Sequence, residues 1–478
     1  MTYDILIKNG DVINGLGTPR FKSDIAIDND KIVAISSLDG AKAEMVIDAT
    51  DMIVSPGFID VHTHDDNLIF SDSSMRPKIS QGVTSIIVGN CGVSLAPLIL
   101  NQVSPPPPQD LLGEKDSYKY SNFSEYRSAI EKYPPATNVG FLAGHGTLRI
   151  CAMESTEKPA SPSEIKKMQI LIDEAMSVGG LGISTGLIYE PNKAATIDEI
   201  SAVTEVVANY GGIYTTHMRD ESNQINKSIE ETLLIGQRTN APVIISHHKC
   251  MGKSNYGRSS ETLRRINQAK SFQTVGLDAY PYTAASTVIL PEMVEMSERV
   301  IITWSKTFPN FSGHDLEYIC NQMKCKKEDS VKALMPGGAI YFLMNESDVQ
   351  KILQHPDTMI GSDGLPNDKH PHPRLWGTFP RVLGHYARDI GIFTLEEAVR
   401  KMTSLSARTF KLKNRGELIP GSFADVVIFD PKTVKDNATY DNPLKPSEGI
   451  DTVIVNGTIV FENGIHSSSR PGVPLLRS

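Results

Sequence analysis

The chain has few of the features that mark secreted, membrane-spanning or nucleic-acid-binding proteins. It contains five cysteines in 478 residues, and an odd cysteine count in a chain of this length favours a reducing compartment over a disulfide framework. No apolar run of the sequence approaches the ~20 residues that a membrane span requires. The net charge of −9 provides no basic stripe for nucleic acid or for a membrane surface. The first residues, Met1–Ile5, lack the basic and apolar regions of a signal peptide, so we expect a cytoplasmic protein with no nucleic-acid or membrane partner.

Apolar residues are abundant enough to build large cores. Hydrophobic residues make up 40% of the chain and charged residues 22%, a balance that is typical of globular proteins. The length predicts one large domain with a smaller companion. Both ends of the chain show short strands of alternating polarity, separated by Asn-Gly and similar turns. We predict that these ends, residues 1–55 and 415–478, form one small β-sandwich domain.

The middle of the chain, residues 56–414, alternates strand patterns with helix patterns. Strands buried on both faces and separated by helices indicate a parallel sheet, and eight of them predict a closed (β/α)8, or TIM, barrel. An open doubly wound sheet is the alternative, but no G-x-G-x-x-G follows the first strand. A final helix is predicted over 394–410, with Thr394 as its N-cap. The predicted strands are 53–62, 85–90, 138–145, 180–185, 212–218, 242–248, 274–282 and 358–363.

One connection is much longer than a strand–helix unit requires. Between Tyr282 and Thr358 the chain carries apolar, methionine-rich segments in addition to helix patterns. Long insertions at the catalytic face commonly act as lids or binding loops. We therefore predict a lid-like insertion at about 284–345, between barrel strands seven and eight.

Side chains that bind metals lie at or just after the carboxyl ends of five of the predicted strands. In a strand, residues two apart point the same way, so His62 and His64 can face one metal ion. A barrel brings all of its strand ends to one mouth. Imidazole, thiolate and carboxylate groups gathered there suit a zinc site, and their number suits a binuclear one. The candidate ligands are His62, His64, Cys91, His217, His247 and Asp363.

Longer motifs resemble those of a known enzyme family. Residues 57–64, GFIDVHTH, resemble the first-strand signature of the amidohydrolase superfamily, and residues 416–427, GELIPGSFADVV, resemble its return into the β-sandwich. Within that superfamily the chain resembles the N-acyl-D-amino-acid deacylases, or D-aminoacylases. Four motifs carry this second resemblance, which spans essentially the whole chain: residues 89–92 (GNCG), 246–249 (SHHK), 278–282 (DAYPY) and 371–380 (PHPRLWGTFP).

The resemblance implies a ligand set that differs from that of hydantoinases and dihydroorotases. Those enzymes commonly bridge two metals with a carboxylated lysine at the end of strand four, where this chain has residues 184–186, STG. In D-aminoacylases a cysteine after strand two takes the bridging place, and Cys91 matches it. The resemblance implies a tight zinc ion held by Cys91, His217 and His247. It also implies a weaker second position formed by His62, His64 and Asp363, with Cys91 shared.

The resemblance also implies a reaction and the residues that carry it out. N-acyl-D-amino acids, small-molecule substrates, would be hydrolysed to a carboxylate and a free D-amino acid. Bound zinc would supply a water that ionises near pH ~7, and Asp363 would act as general base and then as general acid. We expect Arg374 to bind the substrate carboxylate, with contacts from Lys249, Tyr280 and Ser286. The family's side-chain pocket would be formed by Ile188, Tyr341 and Met344, whose apolar character predicts derivatives of D-Leu, D-Met or D-Phe.

Three alternatives stay open at this point. A lid cation such as Arg299 would favour an N-acyl-D-glutamate or N-acyl-D-aspartate deacylase if it reached the pocket. A cyclic-amide hydrolase of the dihydroorotase or hydantoinase type would share the barrel and the metals. A non-catalytic interaction protein on the same fold would have lost ligands, whereas this chain keeps every expected one. We interpret His248 as structural and His145 as either structural or a residue behind the ligands, and expect a monomer or a small homo-oligomer.

Overall fold

The computed structural model describes residues 2–477. The α-helices are α1 (Leu68–Ser71), α2 (Arg76–Ile79), α3 (Phe123–Lys132), α4 (His145–Ala152), α5 (Pro162–Ser177), α6 (Glu190–Lys193), α7 (Ile197–Asn209), α8 (Ile225–Thr239), α9 (Ser259–Ala269), α10 (Pro291–Met296), α11 (Leu316–Met323), α12 (Lys327–Leu334), α13 (Glu346–Gln354), α14 (Arg374–Arg381), α15 (Leu395–Met402) and α16 (Ser404–Thr409). The strands are β1 (Thr2–Val12), β2 (Phe21–Asp28), β3 (Lys31–Ser36), β4 (Lys42–Asp48), β5 (Ile53–Pro56), β6 (Phe58–Asp60), β7 (Val83–Val88), β8 (Asn138–Gly144), β9 (Gly182–Gly186), β10 (Ile213–His217), β11 (Val243–Ile245), β12 (Val275–Ala279), β13 (Ala284–Val288), β14 (Arg299–Ser305), β15 (Gly337–Phe342), β16 (Thr358–Ile360), β17 (Val426–Phe429), β18 (Ile450–Val455), β19 (Thr458–Glu462) and β20 (Ile465–His466).

Strands β6 to β12 and β16 form an eight-stranded sheet, in the order of the chain. Each pair of neighbouring strands in it is parallel. The two edge strands meet just beyond their ends, where Asp363 N–H donates to His62 O at 2.7 Å and His64 N–H donates to Gly364 O at 3.1 Å. These bonds bring the sheet close to a closed barrel, which confirms the predicted fold. They also fix the candidate ligands of the first and last strands side by side.

Apolar side chains fill the inside of the barrel and leave the polar ones at its mouth. The inner cluster takes one or more residues from most barrel strands and is separate from the cluster that packs the strands against the helices. Alternation along β7 shows both faces: Ile87 belongs to the inner cluster, while Ile86 and Val88 pack outward. Strands that are buried on both faces consist of nearly continuous apolar residues. This pattern predicts them from the sequence.

Two predicted elements are each divided in the structure. The strand predicted over 53–62 is β5 of one sheet and β6 of the barrel, separated by Gly57, where a Cβ would lie 2.1 Å from Thr84 Oγ1. The helix predicted over 394–410 is α15 and α16, separated at Thr403 with φ −133° and ψ −91°. The Thr403 hydroxyl donates to Val399 O at 2.6 Å, a bond that competes with the regular helix pattern. The predicted N-cap is confirmed, because Thr394 accepts the N–H of Glu397 at 3.2 Å.

Two further sheets flank the barrel. A nine-stranded sheet joins β1 to β5 with β17 to β20, so it is built from both ends of the chain. The long connection before β16 carries a three-stranded antiparallel sheet of β13, β15 and β14, with its own apolar cluster. Within residues 2–477, no helix is both long and apolar enough to cross a membrane.

Candidate metal and catalytic centre

Four side chains from the first, second and last barrel strands meet at the mouth. His62, His64, Cys91 and Asp363 are all buried, and one ligand atom of each lies within 4.8 Å of the others. Asp363 Oδ1 lies 3.5 Å from His62 Nε2 and 3.2 Å from His64 Nε2. The His62 Nε2 atom lies 3.2 Å from Cys91 Sγ. The group therefore has the donor types and the spacing of a metal site.

A second group shares the same cysteine. Cys91, His217 and His247 are buried and likewise offer ligand atoms within 4.8 Å of one another. His247 Nε2 lies 3.0 Å from His217 Nδ1 and 3.5 Å from Cys91 Sγ. Because Cys91 belongs to both groups, its sulfur lies where one ligand could bridge two metal ions. The structure thus brings together all six residues that the sequence singled out as ligands.

The backbone at the strand ends is bent so that these side chains face one another. Cys91, His247 and Asp363 have φ angles of 53°, 34° and 49°, in the left-handed region that residues with a side chain seldom adopt. Gly89, two residues before Cys91, has φ 78°, and a Cβ there would lie 2.1 Å from a carbonyl oxygen of β8. Such conformations cost of order 1–3 kcal/mol each and concentrate at functional sites.

The surroundings keep the thiol and the carboxyl of the two groups ionised. Burial opposes ionisation of Cys91, but His62 and His247 outweigh it and hold the pKa of the Cys91 thiol well below its usual range. Burial likewise opposes ionisation of Asp363, but Arg374 and His64 hold the pKa of the Asp363 carboxyl well below its usual range. A thiolate and a carboxylate among imidazoles are charges that a divalent cation stabilises.

Two buried carboxylates that the sequence did not single out lie behind the histidines. Asp278 Oδ1, on β12, lies 3.2 Å from His62 Nδ1 and accepts the backbone N–H of His247 at 2.8 Å. Glu221 lies in the turn after β10, four residues after His217. A turn has no regular periodicity, so this spacing does not predict that the two side chains meet. The motif DAYPY contains Asp278, and it was the only hint that the sequence offered.

Glu221 is surrounded by three basic side chains. Its carboxylate lies 3.2 Å from His247 Nδ1, 3.4 Å from His217 Nε2 and 2.7 Å from Lys249 Nζ. Burial opposes ionisation of Glu221, but Lys249, His247 and His217 together hold the pKa of its carboxyl well below the usual range. Glu221 therefore carries a negative charge directly behind the second ligand group.

The residues predicted to bind the substrate carboxylate lie beside both groups. Lys249, Tyr280 and Ser286 line a cavity that also contains His64 and Asp363. The Tyr280 hydroxyl and the Ser286 hydroxyl are buried and have no hydrogen-bond partner within residues 2–477. Unpaired buried hydroxyls are costly in a finished core, and they mark a place where a polar ligand can bind.

Arg374 lies behind Tyr280 and Ser286, which line the cavity, and it is fully buried. One terminal nitrogen lies 2.9 Å from Asp363 Oδ2, and the other donates to Ser286 O at 2.9 Å. Its guanidinium lies 4.6 Å from the centre of the Tyr280 ring, and its Nε has no partner in the described part of the chain. Arg374 is thus already ion-paired with Asp363, and its Nε–H is left without a partner among residues 2–477.

The three residues predicted for the side-chain pocket lie elsewhere than in this central cavity. Ile188 lines a neighbouring cavity, and Met344 lines one on the far side of Lys249. Tyr341 is buried within the three-stranded sheet, where its hydroxyl donates to Val288 O at 2.8 Å and accepts from Leu290 N at 2.9 Å. The apolar wall of the central cavity is formed instead by Leu111, Met251, Leu290, Met293 and Leu365. The sequence could not supply this wall, because four separate segments of the chain contribute to it.

Two further histidines lie outside both groups. His248 Nε2 bonds to Thr262 Oγ1 at 2.8 Å, and burial lowers the pKa of His248 to about 4. His145 bonds through Nδ1 to Asn192 Oδ1 at 2.8 Å, and its Nε2 lies 3.3 Å from Glu199. Neither imidazole belongs to a ligand group of the described residues, and their structural role stays a prediction.

Known proteins are similar to this chain over its whole length. The model of the amidohydrolase family matches residues 45–251 and 328–461, which contain every residue of both groups. A D-aminoacylase of Alcaligenes xylosoxydans xylosoxydans is 49% identical over 476 residues, covering 100% of this chain and 98% of the relative. An N-acyl-D-aspartate deacylase of the same organism is 43% identical, covering 98% and 94%. The crystal structure of an N-acyl-D-glutamate deacylase from Bordetella bronchiseptica, complexed with zinc and a phosphonate inhibitor, covers 100% of both chains at 42% identity, with a TM-score of 0.96. The chain therefore belongs to the N-acyl-D-amino-acid deacylase, or D-aminoacylase, family of amidohydrolases.

Proposed function

We propose that this protein is a zinc-dependent hydrolase that cleaves the amide bond of N-acyl-D-amino acids with apolar side chains. The observation that carries the proposal is the pair of buried ligand groups that share Cys91 beside a cavity with an apolar wall. The products are a carboxylate and a free D-amino acid. The similarity to a D-aminoacylase and to an N-acyl-D-aspartate deacylase supports the linear amide and the D configuration.

The donor set fits zinc. Cys91, His217 and His247 offer one thiolate and two imidazoles, and three protein ligands leave a position open, as in other catalytic zinc sites. His62, His64 and Asp363 offer two imidazoles and a carboxylate around a second position. When bound, zinc lowers the pKa of a coordinated water to ~7 and polarises the scissile carbonyl.

Asp363 is the proposed proton carrier. Arg374, 2.9 Å from Oδ2, holds the carboxylate in one orientation and keeps it ionised, while Oδ1 faces His62 and His64. An ionised carboxylate in this position can accept the proton of the attacking water. The same carboxyl then returns that proton to the nitrogen of the departing amine, so that it acts first as base and then as acid.

The substrate carboxylate is proposed to bind at the polar wall of the cavity. Tyr280 and Ser286 present unpaired hydroxyls there, and Lys249 presents a positive charge. Arg374 contributes its free Nε and the charge that it shares with Asp363. A desolvated carboxylate needs such charge-assisted hydrogen bonds to replace its water shell.

The amino-acid side chain is proposed to lie against Leu111, Met251, Leu290, Met293 and Leu365. Cations that could instead favour an acidic side chain are already paired. Arg299 is paired with Asp315 at 2.6 Å, and Arg219 with Glu231 at 2.8 Å. A methionine-rich, apolar wall without a free cation favours D-Met, D-Leu or D-Phe derivatives over D-Glu or D-Asp.

The test is amine release by the zinc-loaded protein from paired N-acetyl-D- and N-acetyl-L-amino acids, covering Met, Leu, Phe, Glu and Asp. We expect turnover of the apolar D members. Met293→Lys should lower kcat/KM for N-acetyl-D-methionine and raise it for N-acetyl-D-glutamate. Met296→Lys is the matched control, because Met296 lines only the neighbouring cavity.

The named alternatives are separated by the same assay together with a parallel assay for ring opening of dihydroorotate and a hydantoin, which yields a carbamoyl amino acid and no free amine. Turnover of the D-Glu or D-Asp member alone would keep the chemistry and refute the apolar pocket. Turnover of dihydroorotate or a hydantoin, with silence on every linear amide, would indicate a cyclic-amide hydrolase. Silence on all of them with zinc bound would refute an enzymatic function of this kind.

We also propose a location and a domain division. All five cysteines are free, which supports a reducing compartment such as the cytoplasm.

Residues 1–55 and 415–478 are proposed as one domain, and residues 56–414 as the barrel, with the lid at 284–345. Limited proteolysis that cuts first within 284–345 and leaves the rest intact would support the lid.

A further inference from the structure

The carboxylate of Glu221 lies behind both histidines of the Cys91–His217–His247 group. We propose that Glu221 is a positioning residue: it accepts the Nδ1–H of His247 and so fixes the tautomer of that ring, it binds the Lys249 ammonium that would otherwise donate to the same nitrogen, and it faces His217 Nε2. The inference rests on the proposed zinc site, because it concerns which ring nitrogens are free to bind the metal.

Each histidine presents one nitrogen to the group and the other to Glu221. His217 Nδ1 and His247 Nε2 lie 3.0 Å apart inside the group. On the opposite side of the rings, His247 Nδ1 lies 3.2 Å from Glu221 Oε1, and His217 Nε2 lies 3.4 Å from Glu221 Oε2. A histidine that donates one N–H to a carboxylate keeps its other nitrogen unprotonated, and that is the form which binds a metal.

The His247 ring also faces a competing donor. Lys249 Nζ lies 2.6 Å from His247 Nδ1, 2.7 Å from Glu221 Oε2 and 2.9 Å from His247 O. If the lysine ammonium donated to Nδ1, the imidazole proton would move to Nε2, on the side of the ligand group. That tautomer cannot bind a metal through Nε2.

Glu221 resolves this competition by accepting from both sides. Oε2 accepts from the ammonium of Lys249, and Oε1 accepts from Nδ1 of His247. A glutamine side chain has the same shape but only one acceptor oxygen, since the other position is an N–H donor. Glu221→Gln therefore leaves Lys249 free to donate to His247 Nδ1.

The test is the zinc affinity of purified variants, measured by competition with a chromogenic chelator. Loss of a partner behind a metal ligand commonly costs ~10–100-fold in metal affinity, and we expect a loss of this size for Glu221→Gln. The double variant Glu221→Gln/Lys249→Met removes the competing donor as well. It should recover most of the lost affinity, which a merely structural role of Glu221 does not predict.

Glu199→Gln is the matched control. Glu199 is equally buried and also lies between a histidine and a basic side chain, His145 and Arg149, outside both ligand groups. It should lower the melting temperature of the metal-free protein and leave zinc affinity unchanged. If Glu221→Gln does not fold, Lys249→Met alone carries the test and should bind zinc at least as tightly as the wild type.

Each outcome decides between the proposals. Wild-type zinc affinity in Glu221→Gln overturns the positioning role while leaving the zinc site standing. A weakened Glu221→Gln that Lys249→Met does not rescue, or a tenfold weaker Lys249→Met, overturns the competition between donors. A wild-type chain that holds no zinc overturns the proposed metal site, and this inference with it.

Discussion

Glu221 and Glu199 have nearly the same neighbours in two parts of one barrel. Each carboxylate is about 1% exposed, and each contacts a histidine and a basic side chain. The difference lies in the second nitrogen of the histidine. In His145 that nitrogen bonds to Asn192 Oδ1 at 2.8 Å, whereas in His247 it faces Cys91 and His217.

A buried carboxylate in contact with a histidine and a cation therefore does not by itself mark a functional site. A histidine whose second nitrogen bonds to a neighbouring side chain, as His145 does to Asn192, completes a structural network, and a histidine with that nitrogen turned toward other ligands completes a metal site. Changes at the barrel mouth should therefore alter chemistry and metal binding. Changes around Glu199 should alter stability.

The largest effect is expected for Asp363→Asn. The amide keeps the shape of the side chain but cannot take up the water proton, and loss of general acid–base catalysis typically costs 10²–10⁴-fold. We expect kcat for N-acetyl-D-methionine to fall by about that factor while the zinc ion held by Cys91, His217 and His247 stays bound. Asp368→Asn, a buried aspartate on the same loop outside both groups, is the control. A kcat within threefold of wild type would remove Asp363 from the reaction.

Cys91→Ser is expected to weaken both metal positions together, since the sulfur belongs to both groups. The loss in zinc affinity should exceed the ~10–100-fold that partners behind a ligand cost. Zinc content after dialysis against a weak chelator measures it. Cys250→Ser is the control, because Cys250 is equally buried but outside both groups. Full zinc content in Cys91→Ser would contradict a shared thiolate.

Glu199→Ala should lower the free energy of unfolding and leave metal binding unchanged. It leaves the fully buried Arg149 without its carboxylate, and breaking a buried ion pair commonly costs ~3–5 kcal/mol. Urea unfolding of the metal-free protein measures the free energy of unfolding. Zinc affinity and kcat of the folded fraction should be unchanged, and a parallel loss of zinc would refute the separation of the two networks.

The same network predicts a pH dependence of stability. Burial opposes ionisation of Glu199, but its contacts with His145 and Arg149 lower its pKa to about 2. The folded protein thus binds fewer protons at Glu199 than the unfolded chain, whose glutamates titrate near ~4.3. The contribution is present above about pH 4 and is lost as the pH falls toward about 2. In Glu199→Gln the melting temperature should fall less steeply over that window; an identical slope would count against the ionised pair.

The smallest effect is expected for Ser286→Ala. Its hydroxyl is buried and has no hydrogen-bond partner among residues 2–477, so a hydrogen bond to the substrate carboxylate should contribute about 0.5–1.5 kcal/mol. KM should rise by about 2–12-fold with kcat unchanged. Ser246→Ala is the control, since the Ser246 hydroxyl is also buried and unpaired but does not line the central cavity. An unchanged KM in Ser286→Ala would exclude this contact.

Much of the fold could be predicted because it follows from local patterns. Buried parallel strands give continuous apolar runs, and the candidate ligands follow strand ends, where a barrel collects them. The division at Gly57 and Thr403 could not be seen, since it depends on the close approach of Thr84 in one case and on a hydroxyl bond to Val399 in the other.

The candidate site was predictable in its ligands and less so in its walls. His62, His64 and Cys91 belong to recognisable motifs and Asp363 ends a predicted strand, whereas Glu221 lies in a turn without any pattern. Tyr341 was expected at the pocket, but the pairing of β15 with β13 places its ring inside the three-stranded sheet. Such placements depend on how distant loops pack, and periodicity does not encode them.

The most direct test of the central claim is amine release from N-acetyl-D-methionine before and after removal of the metal. Turnover by the purified protein should disappear on treatment with a strong chelator and return on addition of one equivalent of zinc. Turnover that survives complete metal removal, or a zinc-loaded protein that releases no amine, would exclude a zinc-dependent deacylase.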